Sequence, residues 1–281
     1  DRLNAAPTLD LPREAYWTWV GPAGPGGRAE AQRSFARWRP NGESPELPAG
    51  DDGVVVLAAL EAAVPFARGF NVAERPLIFR DAVGTEAGVQ AFGLRERDDY
   101  DYRAIRKQVR VLHAEWAGER NASLYEMVLD PDRTSSPYQI VLASVEPGTT
   151  LRETWLRVLS ILREPTWKGV HDRLTYADTL LVPEMSWRIM HRFRELEGPE
   201  RVLGDTTAWL AAAQQEITFR LDRSGATVSS ATSLRAAGAP GRYEFDRPFL
   251  VAVKPRHGNT PFFVMWVGSA ELLTPFAKGG S

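Results

Sequence analysis

Hydrophobic and polar residues alternate along this chain in several patterns, which together predict a mixture of strands and helices. Glu216–Asp222 alternates strictly, with Ile217, Phe219 and Leu221 apolar between polar neighbours, which is typical of a strand with one buried face. Val54–Leu60 is apolar throughout, so it is either a strand inside a sheet or a short buried helix. Its consecutive valines favour the strand. Further strands are predicted at Tyr16–Val20, Leu124–Leu129, Tyr138–Val145, Thr179–Val182, Pro248–Val253 and Pro261–Val267.

Some segments carry the spacing of amphipathic helices instead. The clearest runs from Leu151 to Leu162, where Thr150 and Glu153 offer a capping box and Pro165 ends the pattern. The other two predicted helices are Arg28–Trp38 and Trp187–Leu196.

Two regions lack both kinds of pattern. Residues 1–27 contain closely spaced prolines and glycines, which predicts a mostly irregular N-terminal segment. Arg223–Gly241 consists mainly of Ser, Ala, Gly and Thr, so it has little to bury, and we predict a long exposed loop. The two apolar strands that follow are joined by a turn at Arg256–Asn259. They predict a hairpin in the core.

Composition excludes several classes of protein. The 281 residues include 34 Lys and Arg against 36 Asp and Glu, and the net charge is therefore 34 − 36 = −2. This balance argues against nucleic acid as a partner. No apolar run approaches the roughly 20 residues that cross a bilayer, so we predict no membrane span. The absence of cysteine excludes disulfides, a thiol nucleophile and zinc bound by cysteine.

No familiar catalytic or cofactor motif is present. The four histidines form no H-E-x-x-H pattern and no close pair of metal ligands. Neither G-x-S-x-G nor a glycine-rich phosphate loop occurs. From the sequence we therefore expect no catalytic residue, no cofactor and no metal, and we expect that the protein is not an enzyme.

The last third of the chain resembles the serpin superfamily. EITFRLDRSG at Glu216–Gly225, ATVSSA at Ala226–Ala231 and FDRPFLV at Phe245–Val251 are similar, in order and spacing, to three consecutive serpin segments. These are the end of the fifth strand of the main sheet, the hinge, and the start of the C-terminal hairpin. GFNVAERPLIF at Gly69–Phe79 and the predicted helix Arg28–Trp38 fit the same order. The resemblance thus covers roughly residues 28–275.

The resemblance implies a mixed α/β fold of the α+β type. It would have a large central β-sheet, a second sheet that carries the C-terminal β-hairpin, and peripheral helices. We therefore predict an irregular segment at 1–27 and a single serpin-like domain at 28–281. The N-terminal helices of serpins have no counterpart in these residues, so we expect the domain to be incomplete or to be completed by a separate N-terminal chain segment.

The resemblance also implies a reactive loop. In inhibitory serpins a protease cleaves this loop, which then enters the main sheet as a new strand and traps the protease. The entering residues must be small and uncharged to fit between strands. The predicted hinge meets this demand with Gly225, Ala226, Thr227, Val228, Ser229, Ser230 and Ala231. Arg235 is the predicted specificity residue of the reactive loop, between Leu234 and Ala236.

Four positions depart from the serpin pattern where that pattern helps the sheet to open. Ala58 stands where serpins usually have Asn, and Phe66 where they usually have Trp. Gln215 replaces a His, and Arg223 replaces an acidic residue just before the hinge. In the C-terminal strand, Met265 or Trp266 takes the place of a glycine. These departures argue against loop insertion.

Three hypotheses for function follow. The first is a divergent, non-inhibitory serpin-fold protein that acts as a binding, carrier or precursor protein. The second is an inhibitor that traps a trypsin-like serine protease through residues 226–239. The third is an unrelated α/β protein whose C-terminal part matches by chance.

Asn121-Ala122-Ser123 is an N-glycosylation acceptor sequence, which together with the resemblance predicts a secreted glycoprotein whose partner is a serine protease or another protein.

Overall fold

A computed structural model describes residues 16–40, 53–62, 66–94, 100–116, 124–132, 137–168, 172–175, 177–203, 206–223 and 242–277. The strands in this part of the chain are β1 (Tyr16–Pro22), β2 (Val54–Ala62), β3 (Asn71–Val72), β4 (Leu77–Arg80), β5 (Glu86–Val89), β6 (Ala91–Leu94), β7 (Arg110–Trp116), β8 (Leu124–Asp130), β9 (Tyr138–Ser144), β10 (Trp167–Lys168), β11 (Thr179–Pro183), β12 (Met185–Arg192), β13 (Gly198–Leu203), β14 (Thr206–Leu221), β15 (Arg242–Glu244), β16 (Phe249–Pro255) and β17 (Phe263–Val267). The helices are α1 (Pro25–Trp38), α2 (Tyr100–Gln108) and α3 (Leu151–Arg163), and 3₁₀ turns lie at Arg194–Leu196 and Ala270–Leu272.

The chain divides into two compact units. The described residues of Ala63–Ser186 and Arg220–Ser281 form the larger unit, and those of Asp10–Ala62 and Trp187–Phe219 form the smaller one. None of the described helices has the length and apolar character needed to cross a membrane.

The smaller unit is built on a five-stranded sheet. Its strands lie in the order β1-β2-β14-β12, and β13 also pairs with β14. β1 is antiparallel to β2 and β14 is parallel to it. Helix α1 packs on one face, where the fully buried Phe35 ring meets Trp17 edge-on at 5.2 Å. The cluster under the helix contains Trp17, Ala23, Ala31, Phe35, Val55, Leu57, Ala59 and Ala212.

A six-stranded sheet forms the main layer of the larger unit. Its order is β10-β7-β8-β9-β16-β17, so the predicted apolar hairpin lies at one edge, with Phe249 opposite Val267. Helix α3 covers one face with Trp155 and Val158, which pack with Leu112, Val128, Val141, Ala143, Val145, Leu250 and Ala252. A four-stranded sheet of order β15-β11-β6-β3 and the β4-β5 pair complete the unit.

The cap of α3 agrees with its sequence signal. Thr150 Oγ1 accepts a hydrogen bond from the backbone N–H of Glu153 at 3.1 Å. The Glu153 carboxylate accepts from the backbone N–H of Thr149 at 2.9 Å, one residue earlier than the capping-box pattern expects.

The predicted helix at Trp187–Leu196 is wrong. This segment forms β12 and then a 3₁₀ turn, and just beyond the strand the backbone N–H of Phe193 donates to the carbonyl of Ala213 at 2.8 Å. Ile189 and Met190, which gave the helical spacing, are 45% and 38% exposed. Pairing with β14 satisfies the backbone groups of β12, and this tertiary contact outweighs the local helical pattern.

Candidate functional site

The centre of the five-stranded sheet is a parallel pair made by β2 and β14. The paired residues run from Val54 opposite Leu210 to Ala62 opposite Phe219. The two strands are direct neighbours. A strand added between them would have to separate this pair, so we call it the central pair.

Ala58 and Gln215 face each other across the central pair. They lie 157 residues apart in sequence, since 215 − 58 = 157. The methyl group of Ala58 can form no hydrogen bond, so at this register position no polar contact joins the two side chains.

An ion pair between the exposed Arg188 and the buried Glu216 joins β14 to its other neighbour, β12. Arg188 Nη2 donates to Glu216 Oε2 at 2.8 Å, and the Glu216 side chain is only 5% exposed. Gln214 Nε2 points at the sulfur of Met190 at 3.2 Å. Side-chain contacts therefore link β14 to β12. The residues opposite Gln214, Gln215 and Glu216 in β2 are Leu57, Ala58 and Ala59, which are all apolar.

In the larger unit, the chain that follows β14 is held by its backbone. The carbonyl of Arg223 accepts a hydrogen bond from the backbone N–H of Phe70 at 3.1 Å. Phe70 belongs to an aromatic cluster in which Phe66 meets it edge-on at 4.9 Å and Phe92 lies 5.5 Å from it. The chain is thus fixed at Arg223, next to the predicted hinge.

Charged groups surround this fixed point. Asp222 forms an ion pair with Arg220. Burial raises the pKa of Glu184 above its usual value and the negative charge of Asp222 adds to the rise, while Arg223 and Arg220 oppose it. The Glu184 carboxyl is therefore influenced by one neighbouring negative charge and by two positive charges.

The chain after the predicted loop enters a different sheet. β15 pairs in parallel with β11, with Tyr243 opposite Leu180. Tyr243 is 1% exposed. The segment 224–241 thus connects a strand of the five-stranded sheet to an edge strand of the four-stranded sheet.

Solved structures with the same arrangement are serpins. Tengpin, a thermophilic serpin in its native state, matches 93% of this chain and 76% of its own with a TM-score of 0.57 and 11% identity. Serpin48, described as a highly specific serpin in the insect Tenebrio molitor, matches 87% of this chain and 65% of its own, with a TM-score of 0.50 and 12% identity. Native protease nexin-1 with heparin matches 88% and 66%, with a TM-score of 0.51 and 12% identity.

This chain has the serpin fold. No protein-family model matches the sequence, and no curated protein matches it either. The chain spans about two thirds of the length of Serpin48 and of protease nexin-1. The predicted mixed α/β architecture with several sheets is confirmed. The hypothesis of a chance match confined to the tail fails, because the likeness extends over most of the chain.

The four positions that depart from the serpin pattern where that pattern helps the sheet to open all lie among the described residues. The register puts Ala58 and Gln215 opposite each other, which is consistent with a shared role for these positions. Phe66 is 2% exposed, so an aromatic residue fills its position despite the change from Trp. Arg223 is exposed and lies two residues after the end of β14.

The predicted site residues themselves lie outside the described residues. This applies to the hinge, Gly225–Ala231, and to the reactive-loop residues Leu234, Arg235 and Ala236. It applies also to Asn121. All of these remain predictions, as does the boundary between residues 1–27 and 28–281.

Sequence reasoning missed the Arg188–Glu216 ion pair. Glu216 was placed in an alternating strand as a polar residue, yet the structure buries it. Its partner lies in the segment for which the sequence wrongly predicted a helix. No local pattern links the two residues, so the pair emerges only from the order of strands in the sheet.

Proposed function

We propose that this serpin-fold protein does not trap proteases and acts as a binding, carrier or precursor protein. The observation that carries the proposal is the central pair, in which Ala58 faces Gln215. The serpin pattern has Asn and His at the corresponding positions, where they help the sheet to open. Here one member of the pair has no polar group.

Trapping would require the central pair to separate along its length. Insertion of a strand breaks the backbone hydrogen bonds between β2 and β14 before new ones form. The Arg188–Glu216 ion pair keeps β14 with β12, so separation has to occur on the β2 side. On that side the residues of β2 are Leu57, Ala58 and Ala59. Their side chains have no donor or acceptor, so they cannot form hydrogen bonds with the side chains of an entering strand.

The first test is incubation with trypsin. We expect the loop to be cleaved without an SDS-stable complex and without a rise in melting temperature. Arg235→Gln should remove cleavage at that position, and Arg223→Gln, at the start of the loop, serves as the matched control. An SDS-stable complex together with a large rise in melting temperature after cleavage would contradict the proposal.

A second test uses the register pair directly. In the Ala58→Asn/Gln215→His double variant both serpin-pattern residues return to their facing positions. If these residues limit insertion, the cleaved double variant gains thermal stability relative to cleaved wild type. An unchanged melting temperature would remove the central pair as the reason for failed trapping.

The alternative function is inhibition of a trypsin-like serine protease. The parallel direction of β2 and β14 favours it, because a loop that folds back after β14 would run antiparallel to both neighbours. The small residues Ala226–Ala231 suit such a strand. In this case Arg235 would occupy the specificity pocket of the protease, and the trypsin experiment would give the complex.

Two further properties belong to the proposal. We expect the protein to be secreted, with a glycan on Asn121, and mass spectrometry of the native protein tests the glycan. We expect no catalytic activity of its own and a protein as its partner.

A further inference from the structure

A cluster of three potential metal ligands lies in the larger unit. A ring nitrogen of His113 and one carboxylate oxygen each of Glu115 and Glu126 lie within 4.8 Å of one another. His113 and Glu115 are in β7, and Glu126 is in the adjacent strand β8. His113 is 5% exposed, so the cluster begins below the surface of the sheet.

The strand register creates an electrostatic problem at this cluster. Glu115 and Glu126 are direct partners in the antiparallel β7-β8 pair. Two like charges directly opposite each other destabilise a sheet. A cation between them removes the repulsion, and two negative charges match one divalent cation.

A second observation points to the same position. Glu126 Oε1 is buried and has no hydrogen-bond partner among the described residues. A buried carboxylate oxygen without a donor is costly, and an ion bound at that oxygen is one of the few arrangements that remove the cost.

Thr166 contacts the ring of His113. The backbone N–H of Thr166 donates to His113 Nδ1 at 3.2 Å, and Thr166 Oγ1 lies 3.3 Å from the same nitrogen. Metal-binding histidines donate the N–H of their second ring nitrogen to a nearby acceptor. In this structure Nδ1 accepts a hydrogen bond, so Nε2 carries the ring proton. Zinc at Nε2 would require that proton to move to Nδ1, where the hydroxyl oxygen of Thr166 lies close enough to accept it.

Neighbouring contacts keep Thr166 at this position. The carbonyl of Thr166 accepts from the backbone N–H of Ala114 at 3.1 Å. The next residue, Trp167, donates its indole N–H to the carbonyl of Val111 at 3.1 Å. These two hydrogen bonds hold Thr166 and Trp167 against β7, next to His113.

We propose that His113, Glu115 and Glu126 bind one zinc ion. One imidazole and two carboxylates can hold Zn²⁺, whose nitrogen and oxygen ligands lie at about 2.0–2.2 Å, and water would take the fourth position of the tetrahedron. The bound ion joins β7 to β8 in the sheet. The sequence predicts no metal site, because the three ligands fit no motif and only the register of β7 and β8 brings Glu126 to the other two.

The test measures zinc binding to the EDTA-treated full chain. Titration with zinc sulfate against a chromophoric chelator should give one site per chain, and zinc should raise the melting temperature. Glu115→Gln and Glu126→Gln should each weaken binding at least tenfold, while Glu271→Gln, an exposed glutamate of the same unit, should leave the affinity unchanged. Absence of measurable zinc binding in this titration, or equal affinity in all three variants, overturns the proposal.

Two further variants separate ligation from a purely structural role. Thr166→Val, which loses the hydroxyl group, should weaken zinc binding about 10- to 100-fold. Thr166→Ser, which keeps the hydroxyl group, should bind zinc like the wild type. Without zinc, Glu126→Gln should melt at the same temperature as wild type or higher, since the variant removes the repulsion. A lower melting temperature of metal-free Glu126→Gln, or stabilisation by calcium but not by zinc, would also overturn the proposal.

Discussion

The replacement Arg256→Met should remove a large part of the stability of the C-terminal hairpin. Arg256 Nη1 donates to Asp130 Oδ2 at 2.8 Å, and Nη2 donates to the carbonyl of Tyr138 at 2.9 Å and to that of Asp132. Asp130 is fully buried and also accepts from Gln139 Nε2 at 3.0 Å. The network thus joins the end of β16 to β8 and β9.

The expected loss of stability follows from the buried Asp130 carboxylate, which Arg256→Met leaves without its partner. Removing one partner of a buried ion pair costs about 3–5 kcal/mol, because the other charge remains buried without compensation. The Arg256 side chain is 20% exposed and that of Asp130 is 1% exposed, so partial access to water places the loss toward the lower value. About 3 kcal/mol is a substantial share of the roughly 5–15 kcal/mol that stabilise a typical domain.

The pH dependence of this loss has a defined sign. Burial raises the pKa of Asp130 above its ordinary value, and Arg256 opposes the rise. Without Arg256 the pKa rises further. An acid whose pKa is raised in the folded state contributes stability at low pH and loses it as pH increases through the folded pKa. The loss caused by Arg256→Met should therefore be largest near neutral pH and smaller in mild acid.

Urea denaturation followed by tryptophan fluorescence at pH 7.5 and at pH 5 measures both effects. The control is Arg242→Met, since the Arg242–Glu244 contact is 3.8 Å long and the Arg242 side chain is 61% exposed. An exposed pair of this kind is worth about 0–1 kcal/mol. The double variant Asp130→Asn/Arg256→Met should recover part of the stability. A loss below about 1 kcal/mol, or one that grows as pH falls, would refute the reasoning.

Two other predictions concern packing, and chemical denaturation measures both. Gly93→Ala should lower the free energy of unfolding by at least about 3 kcal/mol, because its Cβ would lie 1.8 Å from the carbonyl oxygen of Leu180. The control is Gly26→Ala, whose Cβ would have nothing within 4 Å. It should stabilise α1 by about 0.5–1 kcal/mol. If the two alanines have similar effects, the close strand approach is not the cause. Phe35→Ala should cost about 3–5 kcal/mol, since the ring is fully buried and meets Trp17 at 5.2 Å; Phe35→Leu should cost clearly less, and equal losses would count against the packing argument.

Local patterns were sufficient for the elements that bury one continuous face. The alternating residues Glu216–Leu221 lie at the end of β14, although the polar Glu216 is buried there. The apolar run at Val54–Leu60 lies within β2. The capping signal at Thr150 marks the start of α3. In these cases burial and the local hydrogen bonds favour the same conformation, so sequence alone was enough.

Trp187–Leu196 shows where local patterns fail. Its apolar residues fit a helix, but in the sheet they are partly exposed while the backbone pairs with β14. The energy that decides the conformation comes from a strand far along the chain. Local spacing carries no information about that strand.

The resemblance to serpins depended on the order of a few segments, and the fold comparison confirms it. What the sequence determined by itself is therefore the set of apolar faces, the caps and the small-residue composition of 224–241, since each depends on neighbouring residues. Only the tertiary structure decided three other features. They are the position of Ala58 opposite Gln215, the Arg188–Glu216 ion pair, and the proximity of Glu126 to His113. Each of these joins residues on different strands, and strand register is set by packing of the whole sheet.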